Sequence, residues 1–176
     1  KNVDLTANKL YSLTETSKEF VKNMQEDVDI YVLASEENTD DMIRHTLQEF
    51  DELSDRITVE YVDPAVNPQF YTQYTDTYVT GGSLIVSGAK RNRVILYSKM
   101  YDVVYSSDYS TSTVTGYDGE GRILSALDFV TAEYMPKIYM TDGHDEMTLG
   151  ASFMDALEKE NVGYEFIKLT DCDAVP

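Results

Sequence analysis

The sequence predicts an α/β protein, and three features carry that prediction. Apolar runs of strand length alternate with segments whose apolar residues recur at helical spacing. Two strand-like runs, 83–87 (SLIVS) and 91–97 (RNRVILY), are joined only by Gly88-Ala89-Lys90, a hairpin loop. Pro136 then separates this set from a second strand–helix–strand series beginning at Lys137.

The elements follow in order. Ser12-Leu13-Thr14-Glu15 has the S-x-x-E spacing of a capping box. Leu13, Thr16, Phe20, Val21 and Met24 share one helical face, so a helix is predicted over 14–24. Residues 27–34 (DVDIYVLA) read as a buried strand. Asn38 or Thr39 is expected to cap the next helix, with Asp40 and Asp41 near its positive end. Met42, Ile43, Thr46, Leu47, Phe50 and Leu53 form that helix's apolar stripe. Ile57, Val59 and Tyr61 alternate with Thr58 and Glu60, as in a half-exposed strand that stops at Asp63-Pro64. The polar, Tyr-rich stretch 67–77 reads as a linker with a short helix in it, broken by Gly81-Gly82.

After the hairpin, 102–105 adds a strand, and the Ser/Thr/Tyr run 106–115 reads as an exposed loop. Asp118 is expected to cap a helix whose buried face is Ile123, Leu124, Leu127, Val130 and Tyr134. A strand over 137–141 follows, then a helix over 148–160 with Phe153, Met154 and Leu157 inward. Gly163 is its expected stop and 164–169 a last strand. A strand–helix–strand crossover makes its strands parallel, whereas a tight hairpin makes them antiparallel. The combination is a thioredoxin-like β-α-β-β-β-α domain with an N-terminal helix over 1–135. The start of a second α/β unit follows over 136–176.

Charge excludes whole classes of function. The 32 acidic and 14 basic residues give a net charge of −18, which repels a phosphate backbone and rules out nucleic acid as a partner. Docking on anionic lipid is disfavoured for the same reason. Cys172 is the lone cysteine, so no internal disulfide forms. No apolar run approaches the ~18 residues of a membrane span, and no signal peptide is visible. The chain opens at Lys1 and closes just after a strand-like segment, which reads as a piece of a longer protein whose anchors lie outside it.

Candidate chemistry is sparse. A thioredoxin redox site needs Cys-x-x-Cys where the first strand runs into its helix, because the helix N-terminus lowers the thiolate pKa. Ala34-Ser35-Glu36-Glu37-Asn38-Thr39 stands there instead, and Val79-Thr80 replaces the usual Pro before the hairpin strands. The loop Thr141-Asp142-Gly143-His144-Asp145-Glu146 follows a strand, where open α/β sheets bind ligands. Its Asp142, His144, Asp145 and Glu146 have the chemistry for a divalent cation, or for His144 as a base. The same residues also suit turn and helix-cap hydrogen bonds. His45 reads as a solvent-facing helix residue, and Asp118-Gly119-Glu120-Gly121 as a helix start that lacks calcium-loop spacing. The sequence holds 14 Tyr, 6 Phe and no Trp. Tyr71, Tyr74, Tyr78, Tyr97, Tyr101, Tyr105 and Tyr109 are divided between strand packing and a partner or glycan surface. No phosphate-cradling Gly-rich loop and no nucleophile elbow occurs, so no cofactor and no catalytic residue is expected.

Several stretches together resemble a known family. Asp4-Leu5-Thr6 with Leu10-Tyr11-Ser12-Leu13-Thr14 is similar to the D-L-T…Y-[ST]-L-[ST] opening of auxiliary components of ABC-type transport systems, the proteins related to the gliding-motility component GldG. The same order continues through three more stretches. They are 57–64 (ITVEYVDP), then Gly119-Glu120 opening a helix to Val130-Thr131, then Pro136-Lys137-Ile138-Tyr139 with Gly143-His144-Asp145-Glu146. Asp145 departs from the family, whose members commonly have Gly there. The resemblance implies an extracytoplasmic accessory region held by transmembrane helices outside residues 1–176, with an ABC permease and an ATP-binding subunit as partners. It implies an amidotransferase-like second unit after the thioredoxin-like one. The function expected is therefore non-catalytic, through protein–protein contacts. The alternatives are a glycan-, peptide- or cation-binding module, or a hydrolase- or amidotransferase-like enzyme completed by residues beyond the chain.

Overall fold

The computed structural model describes residues 12–107, 110–143 and 145–171. It divides into two compact units, Lys1–Thr131 and Ala132–Pro176.

The first unit runs α1 (Glu15–Asn23), β1 (Val28–Val32), α2 (Asp41–Leu53), β2 (Ile57–Tyr61), β3 (Leu84–Ser87), β4 (Asn92–Ile95), β5 (Tyr101–Tyr105), β6 (Ser112–Tyr117) and α3 (Gly119–Thr131). Strands β1 to β4 form one mixed sheet in the order β2-β1-β3-β4. β1 and β2 are parallel, with Val28 opposite Ile57, because α2 carries the chain back between them. The loop 88–90 is too short for a crossover, so β3 and β4 pair antiparallel, Leu84 opposite Ile95.

The period-two pattern of the strands divides the core. Val28, Ile30, Val32, Leu84 and Val86 pack with Ile43, Leu47 and Phe50 of α2 and with Ile123, Leu127 and Val130 of α3. On the other face Ile85 meets Leu33 and Val79, backed by Tyr31, Phe70, Tyr71 and Tyr74. The connection 62–83 is therefore the cover of the sheet's second face, with one short 3-10 turn at Phe70–Gln73. Its rings pack on Tyr31 of β1, Phe70 at 5.0 Å and Tyr74 at 5.6 Å between centroids. Full burial of such a ring is worth roughly 1.5–3 kcal/mol, and these half-buried rings each contribute part of that toward ordering the segment.

Five details differ from the sequence reading. Thr14, not Ser12, caps α1, and its side chain accepts from Ser17 N. Leu13, Val21 and Met24 are buried and Phe20 half-buried as expected, but Ser17 takes the buried position expected of Thr16, which is exposed. Asp40, not Asn38 or Thr39, caps α2, its Oδ1 accepting from Met42 N at 2.9 Å. The run 106–115 is not all loop: β6 pairs antiparallel with β5 as a separate two-stranded arm. Its β-branched Thr113-Val114-Thr115 favour a pleated strand over the turn that the nearby Ser residues suggest. Tyr134 lies past the end of α3 and is 82% exposed; Ala126 takes the buried position instead.

The second unit is a parallel strand pair, β7 (Lys137–Thr141) and β8 (Gly163–Ile167), connected by α4 (Ala151–Lys159), with Lys137 opposite Gly163. α4 begins at 151, later than the predicted 148, and Phe153 is 48% exposed rather than inward. Gly163 starts β8 and does not stop α4. Asn161 does, at φ 57°, with Val162 N bonding Leu157 O at 2.9 Å and Asn161 N bonding Glu158 O at 3.2 Å. This is the Schellman arrangement, with Asn in the left-handed position usually held by Gly.

Candidate functional site

β1 runs into α2 through a short polar segment. Segment 35–39 folds on itself: Asn38 Nδ2 donates to Ser35 Oγ at 2.8 Å and Thr39 Oγ1 donates to Ser35 O at 2.9 Å. Asp40 follows. Besides its amide contacts, its Oδ1 accepts from the Tyr101 hydroxyl at 2.5 Å. The positive end of α2 is thus already matched by an internal carboxylate. Tyr101 sits between Tyr97 and Tyr117, with ring centroids 5.3 and 5.2 Å away and planes tilted by 48° and 45°, and the Tyr117 hydroxyl bonds Thr46 Oγ1 at 2.9 Å. Burial and the bond to Asp40 hold the Tyr101 phenol well above its usual range. Burial pushes Tyr117 up to about 12. Both remain neutral donors at physiological pH, so this helix end is a closed polar cluster of hydroxyls and one carboxylate.

Gly119 belongs to the same arrangement. A Cβ there would sit 2.0 Å from the Tyr117 hydroxyl oxygen, so only glycine leaves room for that ring at the start of α3. One residue on, Glu120 Oε1 accepts from Thr14 N at 2.7 Å, Thr14 Oγ1 at 2.7 Å and Ser17 Oγ at 2.6 Å. In a capping box the carboxylate three residues into the helix reaches back to the cap amide. Here a residue from another helix does so.

The predicted ligand loop is placed differently from the expectation of a helix cap. Asp142, Asp145 and Glu146 are exposed, and α4 starts only at Ala151, capped by Gly150 without a side-chain bond. Asp142 N donates to Ile167 O at 2.9 Å, continuing the β7–β8 pairing. Asp145 has φ 58°, the left-handed conformation that Gly adopts without cost and Asp tolerates. His144 lies outside the described residues. Among the described residues no three His, Cys, Asp or Glu side chains converge as metal ligands. His45 is exposed on α2, as expected.

The tyrosines form two groups. Tyr97 and Tyr101 belong to the ladder under the β5–β6 arm; Tyr109 lies outside the described residues. Tyr71, Tyr74 and Tyr78 belong to the 62–83 cover. There a cleft of about 190 Å³ opens beside the carboxyl end of β1, lined by Leu33, Pro64, Pro68, Tyr71, Tyr78 and Val79 among others. Sequence reasoning flagged these tyrosines but not the cleft, which depends on Pro64 and Pro68 folding back over Leu33.

Residues 7–101 match the family described as a domain of unknown function, DUF7088. The chain belongs to that family. The DUF7088 region takes in the four-stranded sheet and ends at Tyr101, the first residue of β5. No curated protein matches the sequence. Among solved structures, the NTD_N/C domain of the alkylhydroperoxide reductase AhpF from Enterococcus faecalis is similar at 13% identity and a TM-score of 0.47. The match covers 94% of this chain and 81% of that one.

Proposed function

We propose that this DUF7088 chain is a non-catalytic accessory region of an ABC-type transport system, working through protein contacts with a permease and an ATP-binding subunit on the extracytoplasmic side. The observation that carries the non-catalytic part is the N-terminus of α2. A thioredoxin-like reading of the first unit is supported by its strand order β2-β1-β3-β4 with one parallel pair. In such a fold the reactive group opens this helix, and here Asp40, engaged by Tyr101 and by two helix amides, holds the place. The transport part rests on the ordered motifs from Asp4 to Glu146. The parallel β7-α4-β8 unit supports the amidotransferase-like reading of the second unit. No described helix is long and apolar enough to cross a membrane, so in this reading the anchors are helices outside residues 1–176.

The test is co-isolation. Full-length protein, tagged and extracted in mild detergent, is expected to bring down a permease and an ATP-binding subunit in fixed ratio. Recovery from the cytosol without either subunit removes the proposal.

The cleft at Tyr71 and Tyr78 favours a second reading, a glycan- or peptide-binding module. Ligand binding to the folded state alone must raise its stability. That reading requires a saturable thermal shift with oligosaccharides or Pro-rich peptides, lost in Y78A, and the absence of any shift at millimolar ligand ends it.

A further inference from the structure

The β5–β6 arm has a composition unlike the rest of the surface. Its base is anchored, because Tyr101 and Tyr117 are opposite each other and pack against the main core. Beyond the irregularity between Asp102 and Val103 the ribbon stands out from that core. Val104 is 59% and Val114 60% exposed, with Val103 and Tyr105 also exposed. Val103 and Val114 are register partners, so the face that is buried at the base continues into solvent as an apolar stripe. Among the described residues no third strand pairs with either edge.

Natural proteins usually blunt such edges with Lys, Arg or Pro. The other sheet does so: Arg93 of β4 and Arg91 just before it are held over the Phe129 ring, at 3.8 and 5.3 Å. From 101 to 117 the chain has no Lys, Arg or Pro, and its only charges are Asp102 and Asp108. A two-stranded ribbon is marginal alone and gains from a third strand.

We propose that the arm is a docking edge that adds an extended partner segment as a further strand, one that alternates apolar and basic side chains. Main-chain bonds to the open edge supply affinity, and alternate apolar residues lie on the Val103–Val114 stripe. The basic residues answer Asp102 and the acidic surface. A second copy is disfavoured, because two chains of net charge −18 repel. A lipid surface is disfavoured, because the arm offers no cation to phosphate. The inference takes from the protein-contact reading only that a partner exists; the partner's chemistry comes from the arm.

The experiment uses the isotopically labelled 176-residue chain and two short synthetic peptides, one alternating Val with Lys and one alternating Val with Glu. Amide resonances are followed during titration, with neutral phosphatidylcholine vesicles and a dilution series alongside. The Val–Lys peptide is expected to shift and protect the amides of 103–105 and 112–114 saturably, and the Val–Glu peptide to leave them unchanged. V103S with V114S, the register partners of the stripe, is expected to weaken binding by about tenfold or more without lowering the unfolding midpoint, since both side chains are exposed. The proposal fails if neither peptide binds, if both bind equally, or if the response lies elsewhere. It fails equally if vesicles alone shift the arm, or if the arm shifts with protein concentration alone. Co-isolation tests the transport reading separately, so arm binding without a permease removes that reading and keeps this one.

Discussion

Glu120 is the residue on which the most distant parts of the first unit meet. Its carboxylate takes three donors from the start of α1, more than a hundred positions away in sequence. An N-cap interaction is worth about 0.5–2 kcal/mol, and hydrogen bonds to a charged acceptor about 1.5–3. Partial solvent exposure of Thr14 discounts the larger figure. E120A is therefore expected to lower stability by about 1–2 kcal/mol in urea unfolding, with the denaturant slope unchanged. A change within about 0.5 kcal/mol would place Glu120 among ordinary surface residues. None of this was legible in sequence. Ser12-x-x-Glu15 offered a local box of the right spacing, and the partner that caps Thr14 is set by tertiary packing. The Asp40 cap was half legible: the acidic pair at 40–41 marked the helix start, but the cap itself was expected one or two residues earlier, at Asn38 or Thr39.

At the scale of elements, the stripe of α2 and the alternation of β2 were readable because each has one wet and one dry face. The 62–83 cover was not, because its ordering comes from Tyr and Phe packing on a sheet face that a period-two strand also leaves half apolar. The arm was half readable, since β5 is Val-rich and β6 is Ser/Thr-rich. Its base depends on the Tyr97–Tyr101–Tyr117 ladder, and that has a pH consequence. All three phenols are raised above their ordinary value, Tyr117 to about 12, with burial the first cause in each. The fold therefore favours the neutral form. Its contribution is complete below the unfolded value of about 10 and is lost as pH rises through the folded values. Ultraviolet titration is expected to resolve a late-ionising group of tyrosines, and the unfolding midpoint to fall between pH 10 and 12. Y101F removes the Asp40 bond and the titrating hydroxyl together, so it is expected to lower the midpoint at neutral pH and to flatten the alkaline fall. Ionisation of all tyrosines in one step near the ordinary value would contradict this account of the ladder.

For the whole molecule, the acidic balance and the missing thiols limited function more than any motif did. The parallel β1–β2 and antiparallel β3–β4 relations followed from crossover and hairpin rules, whereas the β1–β3 pairing that joins them did not. The candidate loop at Asp142 to Glu146 was legible as a β–α turn, but its distance from α4 was not, because residues 147–150 carry no stop signal. The open arm has no sequence signature beyond a lack of Lys, Arg and Pro, and it becomes meaningful only beside the Arg-guarded β4. The central proposal is that the first unit works by contact through the arm and not through the α2 N-terminus. Hydrogen exchange of the full-length protein, compared before and after assembly with its co-isolated subunits, tests it most directly. The account predicts added protection at 103–105 and 112–114, with Met42 and Ile43 unchanged. Protection centred on Asp40 and Tyr101, or on the Tyr71–Tyr78 cleft with the arm unaltered, would contradict it.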